Sequence, residues 1–264
     1  MSEFIELKGV TLTLGGHDVL RDVSLTLPEG KCTVIMGPSG CGKSSLLKVA
    51  AGIIPPDRGS ILYRGEDLFW LTERRMAELR KSSGFSFQDS ALWENKTIFD
   101  NLALPLQVHS PEMPHAEIER KVVRMLERGN LMDSIHFRPA QLSVGERKIV
   151  SVLRALIGEP TVVFMDTPTG TIDPAMAETV MGMIREIKAK GCSIVTVSHD
   201  RRIASTLADW LVVLIGGTLA AAGTFDEVKK NADPRVREVL SEVLGEIASF
   251  DTDLLSLLGD GGEN

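Results

Sequence analysis

The octapeptide Gly37-Pro38-Ser39-Gly40-Cys41-Gly42-Lys43-Ser44 has the residue types and spacing for phosphate chemistry. Its pattern is G-x-x-x-x-G-K-[ST]. The glycines let the backbone curl until successive N–H groups converge on an anion. A helix starting there adds the positive end of its dipole. In this pattern the Lys43 ammonium reaches the β- and γ-phosphates, and the Ser44 hydroxyl is a Mg²⁺ ligand. The bland alternative is a glycine-rich turn, so the flanks decide. Lys31-Cys32-Thr33-Val34-Ile35-Met36 before it reads as a buried strand. Ser45-Leu46-Leu47-Lys48-Val49-Ala50-Ala51 after it reads as a helix stopped by Gly52.

Two further stretches carry chemistry. Val163-Phe164-Met165-Asp166 is an apolar strand closed by a carboxylate. Phosphate-loop nucleotidases use such a group to hold Mg²⁺ through its waters, whereas a structural strand-end aspartate only caps the next loop. Leu142-Ser143-Val144-Gly145-Glu146 contains a capping box, Ser143-x-x-Glu146, that begins a helix. The same helix start offers free N–H groups to an anion.

These residues need elements to position them. Residues 4–27 hold β-rich runs at 4–7, 10–14 and 23–27, punctuated by Gly15-Gly16, and read as an antiparallel β layer leading into the phosphate-loop strand. A short strand is expected at Ser60–Tyr63. A charged, exposed helix is expected over 72–81, whose Arg74, Arg75, Arg80 and Lys81 read as a solvated face. Ser83-Gly84-Phe85-Ser86-Phe87-Gln88 reads as a strand ending in a glutamine. From about 89 to 157 the pattern becomes helical. Asp173-Pro174 is an N-cap with proline at the first helical position, and that helix runs to Lys190. Ser193–Val197 is a third buried strand, ending at Ser198-His199-Asp200. Alternating strands and helices imply a parallel sheet, with ligands gathered at the strands' carboxyl ends.

Composition bounds the rest. The 264 residues are 43% hydrophobic and 25% charged, and the formal net charge is −7. An acidic chain is a poor general binder of nucleic acid. The three cysteines, Cys32, Cys41 and Cys192, have no metal or disulfide spacing and suit a reducing compartment. The first residues lack the basic and apolar regions of a secretory signal. The apolar run around Trp210–Ile215 is too short to span a bilayer. The expectation is a soluble, cytoplasmic chain whose membrane role would come through a partner.

In this order, the pieces resemble the ATP-binding subunit of ABC transporters, from about residue 4 to 230. The resemblance implies an α/β fold, a P-loop NTPase with a parallel-sheet core, an N-terminal antiparallel β layer and an inserted α-helical subdomain. It implies a cassette over 1–232; in the remaining 233–264, Pro234 to about Ser249 reads as an amphipathic helix and 251–264 as a partly disordered acidic tail. ATP would lie on Gly37 through Ser44 and Ser45, with Mg²⁺ on Ser44, Gln88 and Asp166. Gln88 would be the Q-loop glutamine, Thr171-Ile172-Asp173 the D-loop and His199 the switch histidine on the γ-phosphate. Ser143, Val144, Gly145 and Glu146 would stand for the signature that meets the ATP of a second subunit, identical or different. An integral membrane permease would be the other partner, placing the chain on the cytoplasmic face of the inner membrane. A narrower likeness, to the Mla/Mce-type lipid-transport ATPases, lies in Phe87–Trp93, Phe99–Leu106 and Ala232-Asp233-Pro234-Arg235-Val236-Arg237. It implies lipid cargo, and a tail that binds a neighbouring subunit, with a small regulatory subunit as a further candidate partner there.

Three positions depart from the family pattern. Thr167 stands where the family has a glutamate that orients and deprotonates water. A threonine hydroxyl is no base at neutral pH, and losing a general base costs on the order of a hundredfold to ten-thousandfold in rate. Slow hydrolysis as a homodimer is therefore expected. Three explanations stay open: pairing with a competent subunit, an ATP-gated switch, or an engineered change that traps the bound state. Val144 replaces a signature glycine and predicts weaker phosphate clamping. Leu14 stands where many such subunits stack an aromatic on adenine, with His17 nearby. A non-transport scaffold or regulatory subunit of the same class is the alternative function. A kinase or GTPase reading lacks the Asn/Thr-Lys-x-Asp guanine motif. Trp93, just past the Q-loop, belongs either to a groove for a permease helix or to the core.

Overall fold

The computed structural model describes residues 3–244. The chain enters as β1 (Glu3–Leu14), turns at Gly15-Gly16 and returns as β2 (His17–Pro28). Both turn glycines are left-handed, with φ of 58° and 79°, and Leu14 pairs with His17 across them. That is the backbone twist a two-residue hairpin loop demands. The runs at 4–7 and 10–14 are thus one strand, with register shifts around the left-handed Gly9. Next come β3 (Cys32–Met36), α1 (Lys43–Ala50), β4 (Arg58–Tyr63), β5 (Glu66–Asp67), α2 (Glu73–Lys81) and β6 (Ser83–Ser86). Three helices follow: α3 (Ile98–His109), α4 (His115–Arg128) and α5 (Val144–Leu156). Then come β7 (Val162–Asp166), α6 (Pro174–Ala189), β8 (Ser193–Val197), α7 (Arg201–Thr206), β9 (Trp210–Ile215), β10 (Thr218–Gly223), α8 (Phe225–Lys229) and α9 (Pro234–Leu244). The remainder of the helix expected to about Ser249, and the acidic stretch 251–264, lie outside the described residues.

Two sheets result. The antiparallel one has the order β2-β1-β4-β5, and the mixed one β10-β9-β3-β8-β7-β6. In the mixed sheet β9, β3, β8, β7 and β6 are parallel, and β10 closes the edge antiparallel to β9. Every residue of β3, β7 and β8 is buried. Strands covered on both faces read as continuous apolar runs, which is why these three were legible.

Alternate side chains of these strands feed two cores. Ile35, Val162, Phe164, Val195 and Val212 pack with α1 and the antiparallel sheet. Val34, Met36, Val163, Met165 and Ile194 pack with the helices on the other face, including α3 to α6 and α9. Helix α2 buries none of its residues, and Arg75 pairs with Glu66 and Glu78, as a solvated face should. Among the described residues, no helix is long and apolar enough to cross a membrane.

Candidate active site

The phosphate-loop sequence bridges the end of β3 and the start of α1. At Gly37, φ is +146° and an added Cβ would lie 2.0 Å from the Leu214 carbonyl oxygen. Only glycine lets the loop leave the strand so close to β9. Lys43 is buried, and its Nζ donates to the Gly37 and Pro38 carbonyls at 2.8 and 2.7 Å. The Cys41 thiol beside it is pushed up by burial, an effect the Lys43 charge opposes. Helix α1 has no side-chain cap and no acidic residue in its first turn. Its first amides and positive end are left to an outside acceptor.

Asp166 ends β7 and is 1% exposed. Its Oδ1 accepts from Ser44 Oγ at 3.1 Å, while Oδ2 is buried with no hydrogen-bond partner among the described residues. An orphaned buried carboxylate oxygen costs stability unless something charged or hydrogen-bonding meets it. Ser44 and Asp166 together offer hard oxygen donors of the kind Mg²⁺ takes. Among the described residues no three His, Cys, Asp or Glu side chains gather as a metal cage.

Thr167 follows directly, half-buried, with φ of +47°. Its N–H donates to the Val197 carbonyl, and its own carbonyl accepts from Gly170. A β-branched residue in the left-handed region is an outlier, and such strain clusters at functional turns. Thr167 and the exposed Gln88 line one cleft of about 790 Å³, with Lys48, Asp89, Gly170 and Thr171. Asp173 and Asp200 are both engaged elsewhere, whereas Asp89 shares the cleft with Thr167. Asp173 caps α6 through the Ala175 and Met176 amides. Asp200 caps α7, binds Arg202 and accepts from Thr169; these bonds outweigh burial and hold its carboxyl low.

His199 is exposed, two residues past β8. Partial burial and the Lys43 charge hold its imidazole below the ordinary histidine value, against the pull of Glu242 on α9. The structure thus brings Lys43, Ser44, Asp166 and His199 to the carboxyl ends of β3, β7 and β8, with Gln88 and Thr167 in the adjoining cleft.

The signature residues stay apart from this group. Ser143 Oγ accepts from the Glu146 amide at 3.2 Å, and Glu146 Oε2 accepts from the Ser143 amide at 2.8 Å. This is the expected capping box at the start of α5. Val144 is exposed, whereas Gly145 is buried, where an added Cβ would meet Met176 Sδ at 2.3 Å. Among the described residues no hydrogen bond joins 143–146 to the phosphate loop. Leu14 and His17 sit exposed at the tip of the β1–β2 hairpin.

Sequence reasoning missed Lys148. It is 3% exposed, and its Nζ donates to the carbonyls of Phe87 (3.0 Å), Gln88 (2.9 Å) and Asp166 (3.3 Å). Desolvation pushes it down to about 8, against the opposing charges of Asp166 and Asp89. The available signal was its place on the apolar stripe of α5, three residues before Ser151 and seven before Ala155.

A strand, a glycine loop and an uncapped helix facing a buried strand-end carboxylate define a P-loop nucleotide-binding domain. A family model described as ABC transporter matches residues 20–170. The intermembrane phospholipid transport system ATP-binding protein MlaF of Escherichia coli (strain K12) is 33% identical over 244 residues, covering 92% of this chain and 90% of that protein. The sulfate/thiosulfate import ATP-binding protein CysA of Methylococcus capsulatus is 36% identical, covering 90% and 68%. Among solved structures, a dimeric post-hydrolysis state of the ATP-binding cassette MJ0796 bound to ADP and Pi has a TM-score of 0.76 at 27% identity, covering 83% of this chain and 98% of that one. The chain belongs to the ABC transporter family: it is an ATP-binding subunit with the fold of an ABC-type ATPase.

Proposed function

We propose that this chain is the motor subunit of a lipid-moving ABC transporter. It would comprise a cassette over 1–232, with a helical subdomain at about 89–157, and a C-terminal segment over 233–264. The observation that carries the nucleotide site is the Ser44–Asp166 contact beside an orphaned carboxylate oxygen. Ser44, Asp166 and Gln88 would hold Mg²⁺, which when bound would neutralise charge on the β- and γ-phosphates. Gly37 to Ser45 wrap the phosphates with backbone N–H groups, and Lys43 leaves its loop carbonyls for them. His199, kept neutral, is poised to hydrogen-bond the terminal phosphate. Ser143 to Glu146, at the start of α5, would engage the nucleotide of a second subunit.

A surface groove supports the permease partner. It has a volume of about 420 Å³ and is lined by Phe85, Phe87, Trp93, Leu104, Val108 and Met113, among others. Trp93 is 50% exposed there. An aromatic, apolar groove of this kind suits an inserted helix. The chain would then sit on the cytoplasmic face of the inner membrane. The similarity to MlaF, with the Ala232–Arg237 segment, supports lipid cargo.

Thr167 specifically favours a second reading, an ATP-gated scaffold or a subunit that relies on a competent partner for hydrolysis. Affinity purification from detergent-solubilised membranes separates the two. Recovery of an integral membrane protein with bound phospholipid supports the motor reading. A complex free of membrane proteins supports the scaffold.

A further inference from the structure

The turn that carries Gln88 is tied to α5 by two buried or partly buried cations. Lys148 Nζ meets the carbonyls of Phe87 and Gln88, and reaches the carbonyl of Asp166 as well. Arg154, on the same helix, donates from Nη2 to the Ser90 carbonyl at 3.0 Å and from Nη1 to the Ala91 carbonyl at 2.9 Å. Ser90 and Ala91 have φ of 67° and 44°, two successive non-glycine residues in the left-handed region. Such a conformation persists only where its surroundings over-determine it. The helix is itself fixed to β6 by Ser86 Oγ and Ser151 Oγ at 3.1 Å, both fully buried.

An ammonium has three N–H donors and no acceptor. Lys148 therefore uses its whole hydrogen-bonding capacity on three backbone oxygens, two from the Q-loop and one from the end of β7. These are the main-chain neighbours of the two side chains, Gln88 and Asp166, read above as Mg²⁺ ligands. A surface lysine would not take up this position, because burying an ammonium is unfavourable unless each donor is met.

We infer that Lys148 is a positioning residue: it sets the spacing between Gln88 and Asp166, so that both reach one Mg²⁺–nucleotide. This rests on reading the cleft as the Mg²⁺–nucleotide site. Lys148 touches no phosphate and no metal. Its effect passes through the backbone it holds.

The test is the affinity of a fluorescent ATP analogue, measured in EDTA and again in Mg²⁺, for the unmodified chain, Lys148→Met, Gln88→Ala and the double variant. Wild type should bind more tightly in Mg²⁺. Lys148→Met should match wild type in EDTA but lose most of that gain, about tenfold in affinity if one charge-assisted contact is lost. Gln88→Ala should lose a similar share, and the double variant no more than either alone, because both act through one contact. Equal losses in EDTA and Mg²⁺ would mean a merely structural role and overturn the inference. An intact Mg²⁺ gain in folded Lys148→Met would overturn it too. If Lys148→Met does not fold, Lys148→Gln, which keeps some donors without the charge, is read the same way. A wild-type chain with no Mg²⁺ gain would bring down the nucleotide reading itself, and the Lys148 inference with it.

Discussion

The Ser44 hydroxyl donates to Asp166 Oδ1 at 3.1 Å although 122 residues separate them in sequence. They belong to different elements. Ser44 lies in the first turn of α1 and Asp166 ends β7, and β8 lies between β7 and the strand that precedes α1. The fold thus places a hydroxyl and a carboxylate together, with one carboxylate oxygen satisfied and the other bare.

Asp166→Asn should remove most of the Mg²⁺-dependent gain in nucleotide affinity. An interaction with a charged group of this kind is worth about 1.5–3 kcal/mol, roughly a tenfold to hundredfold change in affinity. Calorimetric titration with and without Mg²⁺ checks it. Binding in EDTA should hold or improve, since a buried charge next to the phosphate site is gone.

Asn101 and Trp93 should behave oppositely. Asn101 is fully buried on α3; its Oδ1 accepts from the Trp93 amide, and its Nδ2 donates to the carbonyls of Trp93 and Thr97. Asn101→Ala should cost about 1–3 kcal/mol in urea unfolding, because buried backbone groups lose their partner. Trp93→Ala leaves those bonds in place. It should keep stability and ATP affinity but weaken capture of the membrane partner. Loss of fold in Trp93→Ala would contradict the groove.

His199 should titrate below its ordinary value of 6.5. The folded state resists protonation here, so as pH falls through 6.5 the unfolded chain binds the proton first. This group's contribution to stability is therefore present above 6.5 and lost as pH drops toward its folded midpoint. NMR of the His199 ring should show Lys43→Met raising the midpoint and Glu242→Gln lowering it. Shifts in the reverse directions would refute the arrangement of charges around the imidazole.

What the sequence made legible follows burial. Strands β3, β7 and β8 are buried on both faces, and the helices from Asp173 and Ser143 start at the caps their sequences carry. β10 escaped notice because Thr218-Leu219-Ala220-Ala221-Ala222-Gly223 has weak strand propensity and exists through its pairing with β9. The strand expected to run to Gln88 stops at Ser86, because the backbone then turns through left-handed Ser90 and Ala91. Lys148 drew no reading from the sequence: its place on the apolar stripe of α5 hints at burial, but the three carbonyls it meets come from distant segments that no local pattern encodes.

Thr167 bears the central claim. It occupies a strained turn beside Asp166, shares a cleft with Gln88 and Asp89, and carries no carboxylate of its own to activate water. The decisive measurement is steady-state ATP hydrolysis at saturating Mg-ATP by the unmodified chain and by Thr167→Glu. The account predicts a nearly silent natural chain, with turnover rising on the order of a hundredfold or more in the glutamate variant. Brisk hydrolysis by the natural chain alone, unchanged or lowered by Thr167→Glu, would contradict it.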